Sequence, residues 1–237
     1  MKPVIDIHSH ILPRVDDGCP GKEQALAMLR MYEEQGAEAV ICTPHFGSCA
    51  LQGADVDGAF AWLVGAAESP VKLFLGNEIL LTRYTLEDTR RGIARRLAGS
   101  DRILIEFDEW GEFNHTCAED ILDGLKWAGE SEFVPVLAHA ERYRCLHEDP
   151  DTFFRIAESG AELQINAYDV CENSDPAVIN TTRFLLENQL VKYLGSDAHG
   201  ATRRPPRLTR GVEWIYENCP EAYADAVVHD NAANLIK

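Results

Sequence analysis

The chain has 237 residues, 46% of them hydrophobic and 26% charged, with a formal net charge of −17. That length suits a single domain, residues 1–237, with a full core, and no apolar run approaches the roughly 18–20 residues that span a bilayer, so membrane insertion is not expected. The strong acidity repels a polyphosphate backbone and argues against a nucleic-acid partner.

Seven short, apolar, mostly β-branched runs read as strands: Val4–His8, Ala39–Thr43, Val71–Gly76, Ile103–Phe107, Val134–Ala138, Glu162–Asn166 and Val191–Ser196. Helical patterns lie between them. Lys22–Gln35 carries Ala25, Leu26, Leu29 and Tyr32 near a 3.6-residue period and stops at Gly36. Phe60–Ala67, Ala118–Gly129, Thr152–Ser159, Ala177–Asn188, Leu208–Asn218 and Glu221–Val227 follow, with Pro150, Pro176 and Pro220 at helix starts. Gly47–Asp57 is the expected mobile loop. Strand and helix in alternation imply right-handed βαβ units and parallel pairing. Neither a G-x-G-x-x-G nor a Walker A sequence is present, so nucleotide folds lack their fingerprint.

Metal-type side chains sit where the apolar runs end. The candidates are His8, His10, Asp17, His45, Glu78, Glu106, His139, Asp197 and His199. A ring is the arrangement that points so many strand ends at one place, which favours a distorted (β/α)7 TIM-like barrel over an open sheet. Imidazole favours transition metals and carboxylate the harder ions. Nine donors exceed what one ion with an open position can use, and they suit two or three ions sharing a bridging carboxylate. Taken alone, His45 after Thr43-Pro44 is an ordinary loop histidine, and Asp16-Asp17-Gly18 an ordinary turn. Glu106 is harder to dismiss, because a carboxylate between Ile105 and Phe107 is costly to bury without a partner. His115, His147 and His229 lie away from strand ends and read as surface residues.

Arg142, three residues after His139, and Arg204, held by Pro205-Pro206, are candidate phosphate ligands. A guanidinium forks onto two phosphate oxygens and keeps its proton. Cysteine-based phosphatase chemistry needs an arginine six positions after the cysteine, and none of the seven cysteines has one. No G-x-S-x-G elbow appears either. Cys42, three residues before His45, is the thiol expected nearest the site. The cysteines form no Cys-x-x-Cys pair and read as reduced thiols; with no signal peptide ahead of the first strand, a cytoplasmic location is expected.

Several segments carry a resemblance: Asp6-Ile7-His8-Ser9-His10-Ile11-Leu12-Pro13 through Val15-Asp16-Asp17-Gly18, Thr43-Pro44-His45, Leu104-Ile105-Glu106-Phe107, Ala138-His139-Ala140-Glu141-Arg142-Tyr143, Gln164-Ile165-Asn166, and Ser196-Asp197-Ala198-His199 with Arg204-Pro205-Pro206. Together they resemble the PHP (polymerase and histidinol phosphatase) superfamily of metal hydrolases. Within it, the chain is similar to the bacterial manganese-dependent protein tyrosine phosphatases of capsule and exopolysaccharide biosynthesis, over essentially its whole length. The resemblance implies a PHP metallophosphatase domain that hydrolyses phosphotyrosine in proteins with metal-activated hydroxide. The implied cofactors are divalent transition metal ions, manganese first, with iron or zinc sharing the ligand set. The implied partner is a tyrosine-phosphorylated bacterial protein, the tail of a capsule-assembly tyrosine kinase. One ion would be held by His8, His10, Glu78 and Asp197, a second by Asp17, His45 and His199, and a third by Glu106 and His139 with Glu78 bridging. Arg142 and Arg204 match the family's phosphate-binding arginines. Two departures stand out: Phe46–Asp55 is small and polar where relatives are more basic, and Asp230-Asn231-Ala232-Ala233 lacks the usual Asn-Pro.

Three other functions compete. A phosphatase of small esters such as histidinol phosphate would share the ligands, but such relatives add lid segments, and the βα connections here look short. An amidohydrolase-type C–N hydrolase also opens with His-x-His, yet commonly uses a carbamylated lysine where this chain has Glu106. A non-catalytic scaffold would not need to retain every ligand and both arginines.

Overall fold

A parallel strand buried on both faces needs apolar residues at consecutive positions, and the runs identified above supply them. The computed structural model describes residues 1–108 and 117–237; His115 lies outside the described residues. Its strands are β1 (Val4–Ser9), β2 (Ala37–Cys42), β3 (His45–Phe46), β4 (Lys72–Leu75), β5 (Glu78–Leu80), β6 (Arg102–Glu106), β7 (Val134–Leu137), β8 (Glu162–Asn166) and β9 (Val191–Gly195). The helices are α1 (Lys22–Glu34), α2 (Val56–Ala66), α3 (Arg83–Arg90), α4 (Ala118–Gly129), α5 (Arg144–Glu148), α6 (Asp151–Glu158), α7 (Pro176–Glu187), α8 (Thr209–Asn218) and α9 (Glu221–Asp225). This is an α/β fold in which every strand pairing is parallel.

The strands fall into a three-stranded sheet, β1-β2-β4, and a six-stranded sheet, β3-β5-β6-β7-β8-β9. The seven expected runs are found, but two of them break and resume. Pro44 has no N–H to give a ladder, so β2 stops at Cys42 and β3 restarts at His45. Beside it, Gly76-Asn77 separates β4 from β5, and the Asn77 amide donates to the Pro44 carbonyl at 2.8 Å. Beyond the end of β9, Ala198 forms an isolated parallel bridge with Ser9 of β1.

Side chains alternate across each strand. Ile5, Ile7, Ala39, Ile41, Leu104, Val136 and Tyr193 form one buried cluster, into which Ala232 and Leu235 of the C-terminal turn also pack. Val4, Val40, Ile103, Ile105, Leu163 and Leu194 belong to a larger cluster with Met28, Leu29, Leu122, Leu125 and Ile156 from the helices. Of the departing residues 230–233, Ala232 packs into the first of these clusters, while Asp230 accepts from Lys2 Nζ at 2.6 Å.

Periodicity did not reveal the short helix α5 or helix α3. The one-turn signal of α3 is chemical: Thr82 and Thr85 form a reciprocal capping box, with the Thr85 N–H donating to Thr82 Oγ1 at 3.1 Å. Helix α2 begins at Val56, earlier than the expected Phe60, because the Asp55 side chain accepts from the Gly58 N–H at 2.8 Å. No helix among the described residues is long and apolar enough to cross a membrane.

Candidate metal centre

All nine candidate donors come together at the strand ends. Glu78 is the hub. Its Oε2 stands 3.1 Å from Nε2 of both His8 and His10 and 3.2 Å from His45 Nδ1, while Oε1 is 2.9 Å from His139 Nε2. Asp197 Oδ1 lies 3.6 and 3.5 Å from the same His8 and His10 nitrogens. Asp17 Oδ1 is 3.5 Å from His45 Nε2 and 3.8 Å from His199 Nε2, and Glu106 Oε1 is 3.0 Å from His45 Nδ1. Two donors about 2.1 Å from a shared ion lie about 3.0–3.4 Å apart at neighbouring vertices, so most of these spacings have the size of coordination-polyhedron edges. His45 departs from the simple three-group division. Its Nε2 faces Asp17 and its Nδ1 faces Glu78 and Glu106, so it stands between two of the expected groups.

The rings are oriented from behind. His8 Nδ1 is 3.1 Å from Gln164 Oε1, His10 Nδ1 is 2.8 Å from Asp16 Oδ2, and His199 Nδ1 is 3.0 Å from the Asp197 carbonyl. Each acceptor fixes the proton on Nδ1 and leaves the Nε2 lone pair directed at the centre, the usual outer support of a metal-binding imidazole. The donor set fits divalent transition ions on this count as well as on spacing. Close backbone approach makes it possible: a Cβ on Gly195 would meet His8 Cβ at 2.7 Å. His139 and Asp197 both adopt left-handed backbone, φ 34° and 51°, a cost that non-glycine residues bear mainly at functional positions.

Protons stand in where cations could. Burial works against charge on His10 and His45, yet Asp16 and Glu78 lift the first, and Glu78 and Glu106 the second, to about 9. Burial and the neighbouring His10 push His199 down to about 3. Burial favours the neutral acid at Glu78 and Asp197, but the histidines around Glu78, and Arg204 with His8 and Arg142 around Asp197, hold both well below the carboxylate range.

Asp197 divides its oxygens. Oδ1 faces the histidines, while Oδ2 accepts from Arg142 Nη1 at 2.8 Å and from Arg204 Nη2. Arg142 Nε also donates to the buried Asp169 at 2.7 Å. Both arginines and seven of the nine donors, all but the fully buried His8 and His10, line a cavity of about 600 Å³ whose further wall includes Phe107, Tyr143, Asn173 and Val178.

Sequence reasoning missed several supports. Asp16 is a turn residue, accepting from Gly18 N at 3.0 Å, but also holds His10 and accepts from His45 N at 3.1 Å. Gln164, a polar residue inside an apolar strand, accepts from His139 N at 2.8 Å as well as facing His8. That misplaced polarity was the available signal; Asp6, buried in β1 and accepting from the N–H groups of His8 and Ser196, carries the same one. Two readings need correction. His147 is not simply a surface residue: its Nε2 lies 2.6 Å from the Glu141 carbonyl and it lines the cavity. Cys42 is fully buried, and Cys49 is the thiol that reaches the centre. Burial, with Asp17, Glu106 and Glu78, pushes the Cys49 thiol up to about 11, so it is not a nucleophilic thiolate at neutral pH. His229 pairs with Asp230 at 2.8 Å, as a surface residue can.

Residues 4–237 match the family model described as Capsular polysaccharide synthesis, CpsB/CapC. The tyrosine-protein phosphatase YwqE of Bacillus subtilis (strain 168) is 30% identical over 208 residues, covering 85% of this chain and 79% of the relative. The crystal structures of YwqE and of CpsB from Streptococcus pneumoniae, described as metal-dependent tyrosine phosphatases, include a match at TM-score 0.85 and 26% identity, covering 98% of this chain and 94% of that one. A histidinol phosphate phosphatase from Lactococcus lactis matches at TM-score 0.57 and 15% identity, over 99% and 92% of the two chains, a likeness of fold alone.

Proposed function

The chain belongs to the CpsB/CapC family of capsular polysaccharide synthesis, and from that premise we propose that its nine-donor centre hydrolyses phosphotyrosine in proteins. It is a metal-dependent tyrosine phosphatase, a phosphoric monoester hydrolase. The observation that carries the site assignment is the division of Asp197, one oxygen on the histidine cluster and the other on Arg142 and Arg204. A phosphate held by those arginines is thereby held at the metal donors.

His8, His10, Glu78 and Asp197 would hold one ion, Asp17, His45 and His199 a second, and Glu106 with His139 a third, with Glu78 bridging. Such ions would supply Lewis-acid neutralisation of the phosphoryl oxygens and an activated water nucleophile. The chain's own groups do the rest. Arg142 and Arg204 bind the equatorial oxygens, and Asp169 fixes the first guanidinium in plane. Asp16 and Gln164 keep the imidazole protons on Nδ1, turned away from the reacting phosphorus. Phe107, packed edge-on against the buried Tyr143, offers an aromatic face for the tyrosyl ring.

Manganese is the proposed ion for the oxygen-rich groups. The proposed substrate is the tyrosine-phosphorylated tail of a cytoplasmic capsule-assembly kinase, within a single domain. A closed seven-position ring is part of the same reading, supported by the Ser9–Ala198 bridge and by the Thr43 N–H donating to the Ser9 carbonyl at 2.8 Å. The test is a side-by-side assay of metal-reconstituted protein on a phosphotyrosine peptide, a phosphoserine peptide, histidinol phosphate and an acyl amide. Phosphotyrosine should give the highest kcat/KM; a larger value for histidinol phosphate would overturn the substrate reading.

A further inference from the structure

Among the described residues, one thiol stands within coordination range of the centre. A carboxylate oxygen of Asp17, a ring nitrogen of His45 and Cys49 Sγ all lie within 4.8 Å of one another. A thiolate about 2.3 Å and a nitrogen or oxygen about 2.1 Å from one ion are separated by roughly 3.5 Å at neighbouring vertices and about 4.4 Å at opposite ones. The three donors can therefore share an ion once the exposed Asp17 and Cys49 side chains draw in by up to about 1 Å. Asp17 and Cys49 are exposed to the cavity, which gives the ion an entry path, while His45 forms the inner side. The loop bearing Cys49 is tied to the Asp17 turn, since the Leu51 N–H donates to the Val15 carbonyl at 2.9 Å. Cys42 cannot serve, being fully buried. Cys145 also lines the cavity but belongs to none of the donor groups.

We propose that Cys49 is a ligand of the ion held by Asp17, His45 and His199, and that this position takes zinc or another thiophilic divalent ion in preference to manganese. The proposal rests on the metal-dependent reading above and adds to it a ligand and a selectivity. Manganese favours oxygen donors, whereas a thiolate selects softer ions such as zinc, cobalt or ferrous iron. Coordination replaces the thiol proton by the ion, and the proton leaves to solvent. Two chemically different kinds of position would then share one cavity: a thiolate-bearing one at the mouth and oxygen-rich ones around Glu78.

Cobalt substitution tests this on the full chain. Wild-type protein loaded with cobalt(II) should show visible d–d bands together with a near-ultraviolet sulfur-to-cobalt charge-transfer band. Cys49→Ser should keep the d–d bands and lose the charge-transfer band; Cys145→Ser should keep both. In competition titrations Cys49→Ser should bind zinc at least roughly 10–100-fold more weakly, the loss seen even for outer partners of a ligand, with manganese binding unchanged. The proposal is overturned if the charge-transfer band persists in Cys49→Ser, or is missing from wild-type protein whose d–d bands are present. Absence of d–d bands altogether is a different result: it removes the metal centre itself and the proposal with it.

Discussion

Replacing Arg142 with alanine should separate two losses that one side chain now prevents. The guanidinium donates Nε to Asp169 and Nη1 to Asp197 and is about a third exposed to the cavity, where its remaining N–H groups are available to a phosphate. A charge-assisted arginine–phosphate bond contributes ~1.5–3 kcal/mol, so kcat/KM on a phosphotyrosine peptide should fall about 10- to 150-fold with metal content unchanged. The second loss is of stability. Asp169 is fully buried beside Glu141, whose own carboxyl is pushed well up by burial and by Asp169. Without Arg142, Asp169 keeps Asn173, at 2.5 Å, a long contact to Asn166 and the neighbouring Glu141 carboxyl. Stranding one partner of a buried pair costs about 3–5 kcal/mol, and the half-open guanidinium and surviving Asn173 bond place this case at the lower end. At about 2–4 °C per kcal/mol for a chain of this size, Tm should drop by roughly 6–12 °C. Adding Asp169→Asn removes the stranded charge and should recover most of the Tm and none of the turnover. Lysine at 142 should rescue poorly, because one ammonium cannot serve two carboxylates and a phosphate in a plane. Steady-state kinetics, elemental analysis and thermal unfolding on the same preparations decide the matter. If turnover returns together with Tm in the double variant, Arg142 is a packing residue and not a phosphate ligand.

Three further outcomes follow from the same geometry. Elemental analysis after manganese reconstitution should give more than one ion per chain, and Glu78→Gln, at the hub of four histidines, should abolish activity and lower that number; a stoichiometry of one in wild type sinks the multinuclear reading. Gln164→Leu removes the acceptor behind His8 and His139 without changing charge, and should weaken metal binding roughly 10–100-fold, read by competition with a chelator; unchanged affinity would make Gln164 a packing residue. Burial lowers His10 and His45, but their carboxylate neighbours lift both to about 9, so at pH 7.5 metal uptake should expel more than one proton per chain, seen by calorimetry in buffers of different ionisation enthalpy. Because these folded values exceed the unfolded 6.5, the associated stability of ion-free protein is complete below about pH 6.5 and is lost as pH rises through about 9; an ion-free Tm that climbs across that window would contradict the assignment.

Most donors were legible because a strand end is a visible place in a sequence, and a parallel α/β fold puts all such ends on one side; His45 and Glu78 instead open the short strands β3 and β5, and Asp17 lies in the turn after β1. The residues behind them were not legible as a class. Gln164 and Asp6 differ from their neighbours only in being polar where the pattern wants an apolar side chain, and Asp16 looks like the turn residue it also is. Asp169 sits in the short 3-10 turn after β8 and finds Arg142 across the fold, a pairing with a separation of 27 residues that no periodicity encodes. The same limit applied to the thiols. Counting along the chain favours Cys42 because it is nearer to His45, but Cys42 lies in β2 facing the core, whereas Cys49 returns to the centre through the loop after β3. Helix α3 went unseen because only Tyr84 and Leu86 of its eight residues are apolar, too few to set a period.

The net charge of −17 sits oddly with a phosphate-cleaving site until surface and centre are treated separately. Charges on the outer helices are screened over about 8 Å at physiological ionic strength, so they govern approach and not the bound state. At the centre the balance is local: Asp17, Glu78, Glu106 and Asp197 contribute four carboxylates, while Arg142 and Arg204 bring two fixed positive charges. Both of those are already engaged by Asp197, and Arg142 also by Asp169. Left to itself this constellation gathers protons onto His10 and His45 and has little positive potential to offer a dianion. Divalent ions would reverse the sign by displacing those protons: two would match the charge of the four carboxylates, and a third would exceed it. On the proposed reading the arginines would then do what they could not do alone: with the carboxylates neutralised, their outward N–H groups would be free to bind a phosphate. Substrate affinity is in this sense a property of the loaded centre, and the acidity that repels nucleic acid is the same chemistry that makes the ions indispensable.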